Sequence, residues 1–281
     1  MGLMSQICGM NMHYKRYTPE SFFKAQQKFD ITKVEFWISA PHFYLDAKAS
    51  EDASDIKRLA QRHGISIPVV TTSSSAWQYQ YAMHAEREAC LNYFTRGIKT
   101  ARALGASIMT VNSGWGFLTD DTDAFSRSAE MLYALSEVAE RNDIQLAMES
   151  LTPYETKIAY NIETTKLLWQ HVNHPALQLM VDTVAMAKGG DTLEEWFQTF
   201  GRHIIHMHFI DWLSSEPADT HLAWGDGDAS LESLLRICDK YHYTGLFSQE
   251  ISARGSYFAD PIAVDKRNYA RLKEAIITIE T

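Results

Sequence analysis

The sequence predicts a (β/α)8 TIM barrel, a single domain over residues 1–281, and three observations lead there. Short apolar runs alternate with longer amphipathic segments along the whole length. The short runs number eight, and they have the compact apolar character of strands covered on both faces. No linker, low-complexity tract or composition break divides them. A doubly wound sheet would spend fewer strands and carry an early glycine-rich ligand turn. The first turn instead reads GMNMHYKRYTPE, and neither GxGxxG nor GxxxxGK[ST] occurs.

The strands are expected at Gln6–Met10, Lys33–Trp37, Ser66–Val70, Ser107–Val111, Gln145–Glu149, Gln178–Asp182, Ile204–His208 and Leu246–Glu250. Helical spacing marks Glu51–His63, Ala85–Leu104, Ala124–Arg141, Asn161–His171, Thr192–Phe200 and Leu231–Tyr241, and Pro261–Ile279 closes the chain. HG at 63–64 and LG at 104–105 are helix stops, since glycine tolerates the left-handed position after a helix.

Composition bounds what such a barrel does. The chain has 281 residues, 46% of them apolar, enough for one sizeable core. A formal charge of −9 weighs against a general nucleic-acid surface. No apolar run is long enough for a transmembrane helix. The opening MGLMSQICGMNMHYKR lacks the basic region, apolar core and cleavage site of a signal peptide. Three widely spaced cysteines, at 8, 90 and 238, suggest buried thiols in a reducing cytoplasm rather than a disulfide framework.

A barrel should gather its catalytic groups where its strands end. The fifth strand ends in LAMES with Glu149, the sixth in LMVDT with Asp182, the seventh in HMHFID, and the eighth in FSQEI with Glu250. Singly, each acid reads as a cap or a solvated group. Together they would bring carboxylates to one mouth, where mutual repulsion and desolvation oppose them. A divalent cation resolves that cost. Three carboxylates and an imidazole suit Mn²⁺, Co²⁺, Zn²⁺ or Mg²⁺. Alternation puts His206 and His208 on one side of their strand, and His208 lies nearer its end. Asp211 would orient that imidazole or line the pocket.

These stretches resemble the xylose-isomerase-like TIM barrels, in particular the ketose 3-epimerases of the D-tagatose/D-psicose type and, more closely, the fructoselysine 3-epimerase branch. The resemblance rests on VEFW…PH at 34–42, ESLTPYE at 149–155, MVDT at 180–183, HMHFID at 206–211, DTHLAWGDG at 219–227 and QE at 249–250. It implies one divalent metal held by Glu149, Asp182, His208 and Glu250, with Glu149 and Glu250 also the acid/base pair. It places Glu155 on the substrate's polar end. It further implies a small-molecule carbohydrate substrate and a homo-oligomer (dimer or tetramer), while the net charge and the lack of a long apolar run predict no nucleic-acid and no membrane partner. The chain departs from the D-psicose type at Ala185, where that type has histidine, and in the loop WLSSEPADTHLAWGDG, which lacks its arginine. The fructoselysine-like branch shares both absences, which weakens a free ketohexose as substrate.

Further contacts are expected from position. Glu35 and Trp37 lie near the end of the second strand, with His42 in the loop beyond; Asn112 and Trp115 follow the fourth strand; His221 sits in the DTH segment. Arg254 would bind a substrate carboxylate or phosphate, or pair with a loop acid. DGDAS at 226–230 lacks the later glycine and glutamate of a calcium loop, and GWG at 114–116 lacks the helix of a nucleotide site. Competing functions are an aldose–ketose isomerase or dehydratase at the same enolising site, an abasic-site endonuclease, and a non-enzymatic sugar-binding barrel. An endonuclease would want several metals, more histidine ligands and a basic rim.

Overall fold

The computed structural model describes residues 2–73, 76–83, 86–216 and 220–280. Strands β1 (Ile7–Met10), β2 (Lys33–Ile38), β3 (Ser66–Thr72), β4 (Ile108–Asn112), β5 (Gln145–Glu149), β6 (Leu177–Asp182), β7 (Ile204–His208) and β8 (Leu246–Ser248) close into a barrel in chain order. Every neighbouring pair is parallel, and β8 returns to β1 through Ile7↔Phe247 and Cys8↔Ser248.

Among the described residues the helices are α1 (Pro19–Lys28), α2 (Ser54–Arg62), α3 (Arg87–Leu104), α4 (Ala124–Glu140), α5 (Ile162–Val172), α6 (Thr183–Gly189), α7 (Leu193–Phe200), α8 (Leu231–Lys240) and α9 (Pro261–Glu280). Two differ in kind from the expected set. The amphipathic α1 starts at a capped Thr18–Pro19, where Thr18 Oγ1 accepts from Ser21 N and the proline fills the first helical position. Short α6 springs directly from the end of β6. The expected start of α3 at Ala85 lies outside the described residues. Gly105 closes α3 with φ of 93°, and Gly64 follows α2 with φ of 69°, as their positions predicted.

Strand alternation divides the buried side chains. Phe36, Val70, Met109, Leu146, Val181, Met207 and Phe247 face the helices and join the main apolar core. Phe23 of α1 stacks on Phe36 of β2 with ring centroids 5.9 Å apart. Burying such a side chain contributes about 1.5–3 kcal/mol. The alternate residues face inward. They include Cys8, Glu35, Thr71, Thr110, Ala147, His206 and Ser248, small or polar groups, all buried. The barrel interior is therefore polar toward one end, the end where β5, β6 and β7 stop.

One boundary matters for the site. β8 stops at Ser248, so Glu250 stands two residues beyond the strand rather than on it. Its predecessor Gln249 still bonds into the barrel, with its N–H on Cys8 O and its amide on Phe209 O and Phe247 O. That anchorage fixes where Glu250 begins. No helix among the described residues is long and apolar enough to cross a membrane.

Candidate active site

Residue alternation delivers Glu149, Asp182 and His208 to the inner face of their strands' last positions. Register keeps them level, because Asp182 pairs with His208 and Glu149 with Met180. The Nδ1 atom of His208 is the centre of the group. It lies 2.9 Å from Glu149 Oε1, 2.9 Å from Glu250 Oε2 and 3.5 Å from Asp182 Oδ2. One donor atom from each of the four residues falls within 4.8 Å of the others.

Asp182 does two jobs with two oxygens. Oδ1 accepts from the N–H groups of Val184 and Ala185, at 2.7 and 2.9 Å, and so caps α6. Oδ2 remains for the cluster and meets His221 Nε2 at 2.9 Å. The cap holds the carboxylate rigid without consuming the oxygen that faces the other acids.

Three acids this close are costly without a counter-charge. Burial pushes the Glu149 carboxyl up to about 7, against the attraction of His208 and with the charges of Glu250 and Asp182 adding to the rise. Burial would raise Asp182 too, but His221 and His208 outweigh it and hold that carboxyl below its usual range. Burial opposes a charge on His208, yet Glu250, Glu35 and Glu149 together raise its pKa well above the ordinary value. His208 Nδ1 has no hydrogen-bond partner of acceptable geometry, although two carboxylate oxygens sit 2.9 Å away. A buried imidazole lone-pair position ringed by carboxylate oxygens fits a divalent cation.

A second polar layer lies beneath the first. Glu35 stands mid-strand in β2, not at its end, and is completely buried. Its carboxylate accepts from His206 Nε2 at 2.7 Å and from His208 Nε2 at 3.2 Å.

Above the cluster opens a pocket lined by Glu149, Asp182, His208, His221 and Glu250, with Met12, Thr71, Phe94, Thr110, Trp115, Thr152, Glu155 and Ala185 among its walls. Of the substrate residues expected from sequence, it brings together Glu155, Asn112, Trp115 and His221. The Glu155 carboxylate also accepts from Thr152 N at 2.8 Å, which folds the turn after β5. His221 Nε2 is 3.2 Å from Glu250 Oε2 as well as close to Asp182. Asp219, from the same DTH segment, lies outside the described residues. Besides His208 Nδ1, Trp115 Nε1 and Thr152 Oγ1 are buried polar atoms on the wall that have no hydrogen-bond partner among the described residues.

The other expected contacts are placed off the pocket wall, each for a visible reason. His42 is held in the fold by Asn11 Nδ2 at 2.7 Å and the carbonyls of Tyr14 and Tyr17. Trp37 is buried inside the barrel, where its backbone N–H bonds Asn11. Arg254 lies beside Asp226 at an exposed position, its guanidinium 3.9 Å away. Asp211 faces away into its own loop, accepting from the N–H groups of Trp212, Gly225, Gly227 and Ala229 at 2.9–3.1 Å. A Cβ on Gly227 would sit 2.2 Å from Trp212 O, so only glycine allows this approach. Asp211 also pairs with Leu222 through two backbone bonds, which sets the neighbouring His221 over the cluster. Sequence reading missed Thr71 and Thr110, which hydrogen-bond each other across the wall, and Thr152. Their inward register on β3 and β4 was the available signal for the first two.

Comparison with known proteins places this geometry. A family model for the xylose isomerase-like TIM barrel matches residues 23–275. Fructoselysine 3-epimerase of Shigella flexneri is 27% identical over 242 residues, 85% of this chain and 87% of that protein. The Escherichia coli O157:H7 protein of the same name is 26% identical over the same length and coverage. Among solved structures, D-psicose 3-epimerase from Clostridium cellulolyticum H10 superposes with a TM-score of 0.75 at 16% identity, covering 98% of both chains. An L-ribulose 3-epimerase gives 0.78 at 14% identity, covering 97% of this chain and 95% of that one. The chain belongs to the xylose isomerase-like TIM barrel family.

Proposed function

We propose that the chain is a divalent-metal-dependent sugar epimerase that inverts C3 of a ketose or a fructosamine-type sugar through an enediolate. The observation that carries this reading is the placement of Glu149 and Glu250. They come from β5 and from beyond β8, and each sets a carboxylate oxygen 2.9 Å from the same imidazole nitrogen. Inverting a carbon beside a ketone needs a base on one face and an acid on the other. Two carboxylates reaching one centre from separate parts of the ring suit that demand. An aldose–ketose isomerase moves a proton between neighbouring carbons and needs one base. The two curated relatives named above are 3-epimerases, which supports the same choice.

A divalent cation held by Glu149, Asp182, His208 and Glu250 would stabilise the charge that develops on the substrate's carbonyl oxygen. The protein's own groups then divide the work. One glutamate takes the C3 proton, and the C–H electron pair moves into the C2–C3 bond. The other, protonated, returns a proton to the opposite face. Burial raises the Glu149 carboxyl to about 7 when no cation is bound. Trp115 Nε1 and Thr152 Oγ1 offer their unused bonding capacity to substrate hydroxyls. Glu155 holds the turn that carries Thr152. Ala185 leaves room on the wall where the D-psicose type carries a histidine, and this favours a sugar joined to an amine over a free ketohexose. Three buried free cysteines suit a reducing compartment.

The test is incubation of the metal-loaded and chelator-treated protein with fructoselysine, D-psicose and D-tagatose, followed by NMR of the products. The reading predicts a C3 epimer, formed fastest from the fructosamine and only with metal. An aldose product, or equal rates with and without metal, contradicts it.

A further inference from the structure

We propose that Glu35 and His206 form a positioning pair that fixes the tautomer of His208, so that its Nδ1 is kept as a cation ligand. The inference rests on the metal reading above and adds two residues that touch neither cation nor substrate. The HMH stretch of β7 puts both imidazoles inside the barrel. Glu35 comes from β2, and β8 and β1 separate that strand from β7 in the ring, so its side chain spans the interior. All three groups are at most 2% exposed. Glu35 Oε2 lies 2.7 Å from His206 Nε2, and Oε1 lies 3.2 Å from His208 Nε2.

The chemistry follows from what each group can offer. An ionised carboxylate only accepts, so both Nε2 atoms must donate. A neutral imidazole has one N–H. With that proton on Nε2, His208 keeps the Nδ1 lone pair that faces Glu149 and Glu250. Those same carboxylates pull the opposite way, because a proton on Nδ1 would lie between them. Glu35 decides the contest from the far side of the ring. His206 spends its own proton on the other oxygen and stops the carboxylate from turning away. His206 Nδ1 has no hydrogen-bond partner among the described residues, so Glu35 supplies the bond that orients the ring.

Glu35, His206 and His208 also satisfy the spacing of a cation site by themselves. Stoichiometry separates that alternative. The experiment titrates the full-length, metal-stripped protein with Mn²⁺, following free Mn²⁺ by EPR, and records the histidine tautomers by ¹⁵N NMR before Mn²⁺ is added, at a pH high enough for His208 to hold a single proton. Wild type is expected to bind one Mn²⁺ and to show His208 protonated at Nε2. In Glu35→Gln the amide accepts from only one ring, so Mn²⁺ affinity should fall about 10- to 100-fold and His208 should move to the Nδ1–H form. His206→Gln restores a donor to Glu35 and should stay within about threefold of wild type, whereas His206→Leu should lose affinity as Glu35→Gln does. Urea unfolding of the metal-free variants establishes that each is folded, and the wild-type tautomer is informative even if Glu35→Gln does not fold. Wild-type affinity in a folded Glu35→Gln variant, or a singly protonated wild-type His208 with its proton on Nδ1, overturns the proposal. So does a second Mn²⁺ that Glu35→Gln alone removes. Failure of wild type to bind any divalent cation instead overturns the metal reading.

Discussion

Replacing Glu149 by glutamine keeps the shape of the side chain and removes one of the charges crowded around His208. The burial of the carboxyl sets the size of the effect. Burial raises the Glu149 carboxyl from 4.5 to about 7. At about 1.4 kcal/mol per unit, that rise makes the buried charge roughly 3 kcal/mol less favourable than the same charge in the unfolded chain. A carboxyl with a raised folded pKa contributes its full share of stability below about 4.5 and loses it as pH rises through about 7. Glutamine has no such loss. Metal-free Glu149→Gln should therefore match wild type near pH 4.5 and exceed it by up to about 3 kcal/mol near pH 8. Urea unfolding at a series of pH values measures this directly. Saturating Mn²⁺ should reverse the order, since wild type binds the cation with one more charged ligand and gains more by mass action. Epimerisation by the variant should fall about 10²- to 10⁴-fold, the usual contribution of a positioned acid or base. A variant no more stable at pH 8 than at pH 5, relative to wild type, would refute the electrostatic reasoning. One that epimerises at the wild-type rate would refute the assignment of Glu149.

Other consequences can be checked on the same protein. Mn²⁺ affinity should weaken at least tenfold, roughly, for each pH unit below about 7, because cation binding must displace protons from Glu149 and from His208, whose pKa is raised; equal affinity at pH 6 and pH 8 by calorimetry would contradict this. Asp265→Ala should cost about 3–5 kcal/mol in urea unfolding, because it strips His13, Tyr14 and Gln26 of a fully buried partner at 2.7–2.9 Å, and a loss under about 1 kcal/mol would contradict it. Arg254→Ala should leave turnover within about twofold and stability within about 0.5 kcal/mol, since its partner Asp226 keeps Arg267 at 2.7 Å. A large rise in KM there would return Arg254 to the substrate.

The barrel was legible because its strands are short, compact and mostly apolar while its helices are longer and amphipathic, a contrast that needs no tertiary information. Glu149, Asp182, His208 and Glu250 were legible as a group because strand ends in a closed barrel must converge. Their finer arrangement was not. Asp182 reads from sequence either as a cap or as a functional acid, and the structure shows one oxygen doing each. Glu35 reads as a strand-end residue, but its partners are about 170 positions away on β7, a distance no local pattern spans. Asp211 was placed in the right loop, with the alternatives of imidazole or pocket, yet the glycines at 225 and 227 turn the backbone N–H groups onto it. Helix α1 had a readable start in Thr18–Pro19, which the turn-like character of the preceding residues obscured.

The most direct measurement is the position of deuterium after turnover in D₂O. Metal-loaded protein is incubated with fructoselysine, and the recovered sugars are examined by ¹H and ²H NMR. If Glu149 and Glu250 take and return a proton on opposite faces, deuterium appears at C3 of the epimer, needs metal, and is lost in both Glu→Gln variants. Deuterium at C1 or C2, or C3 labelling that survives in both variants, contradicts the account.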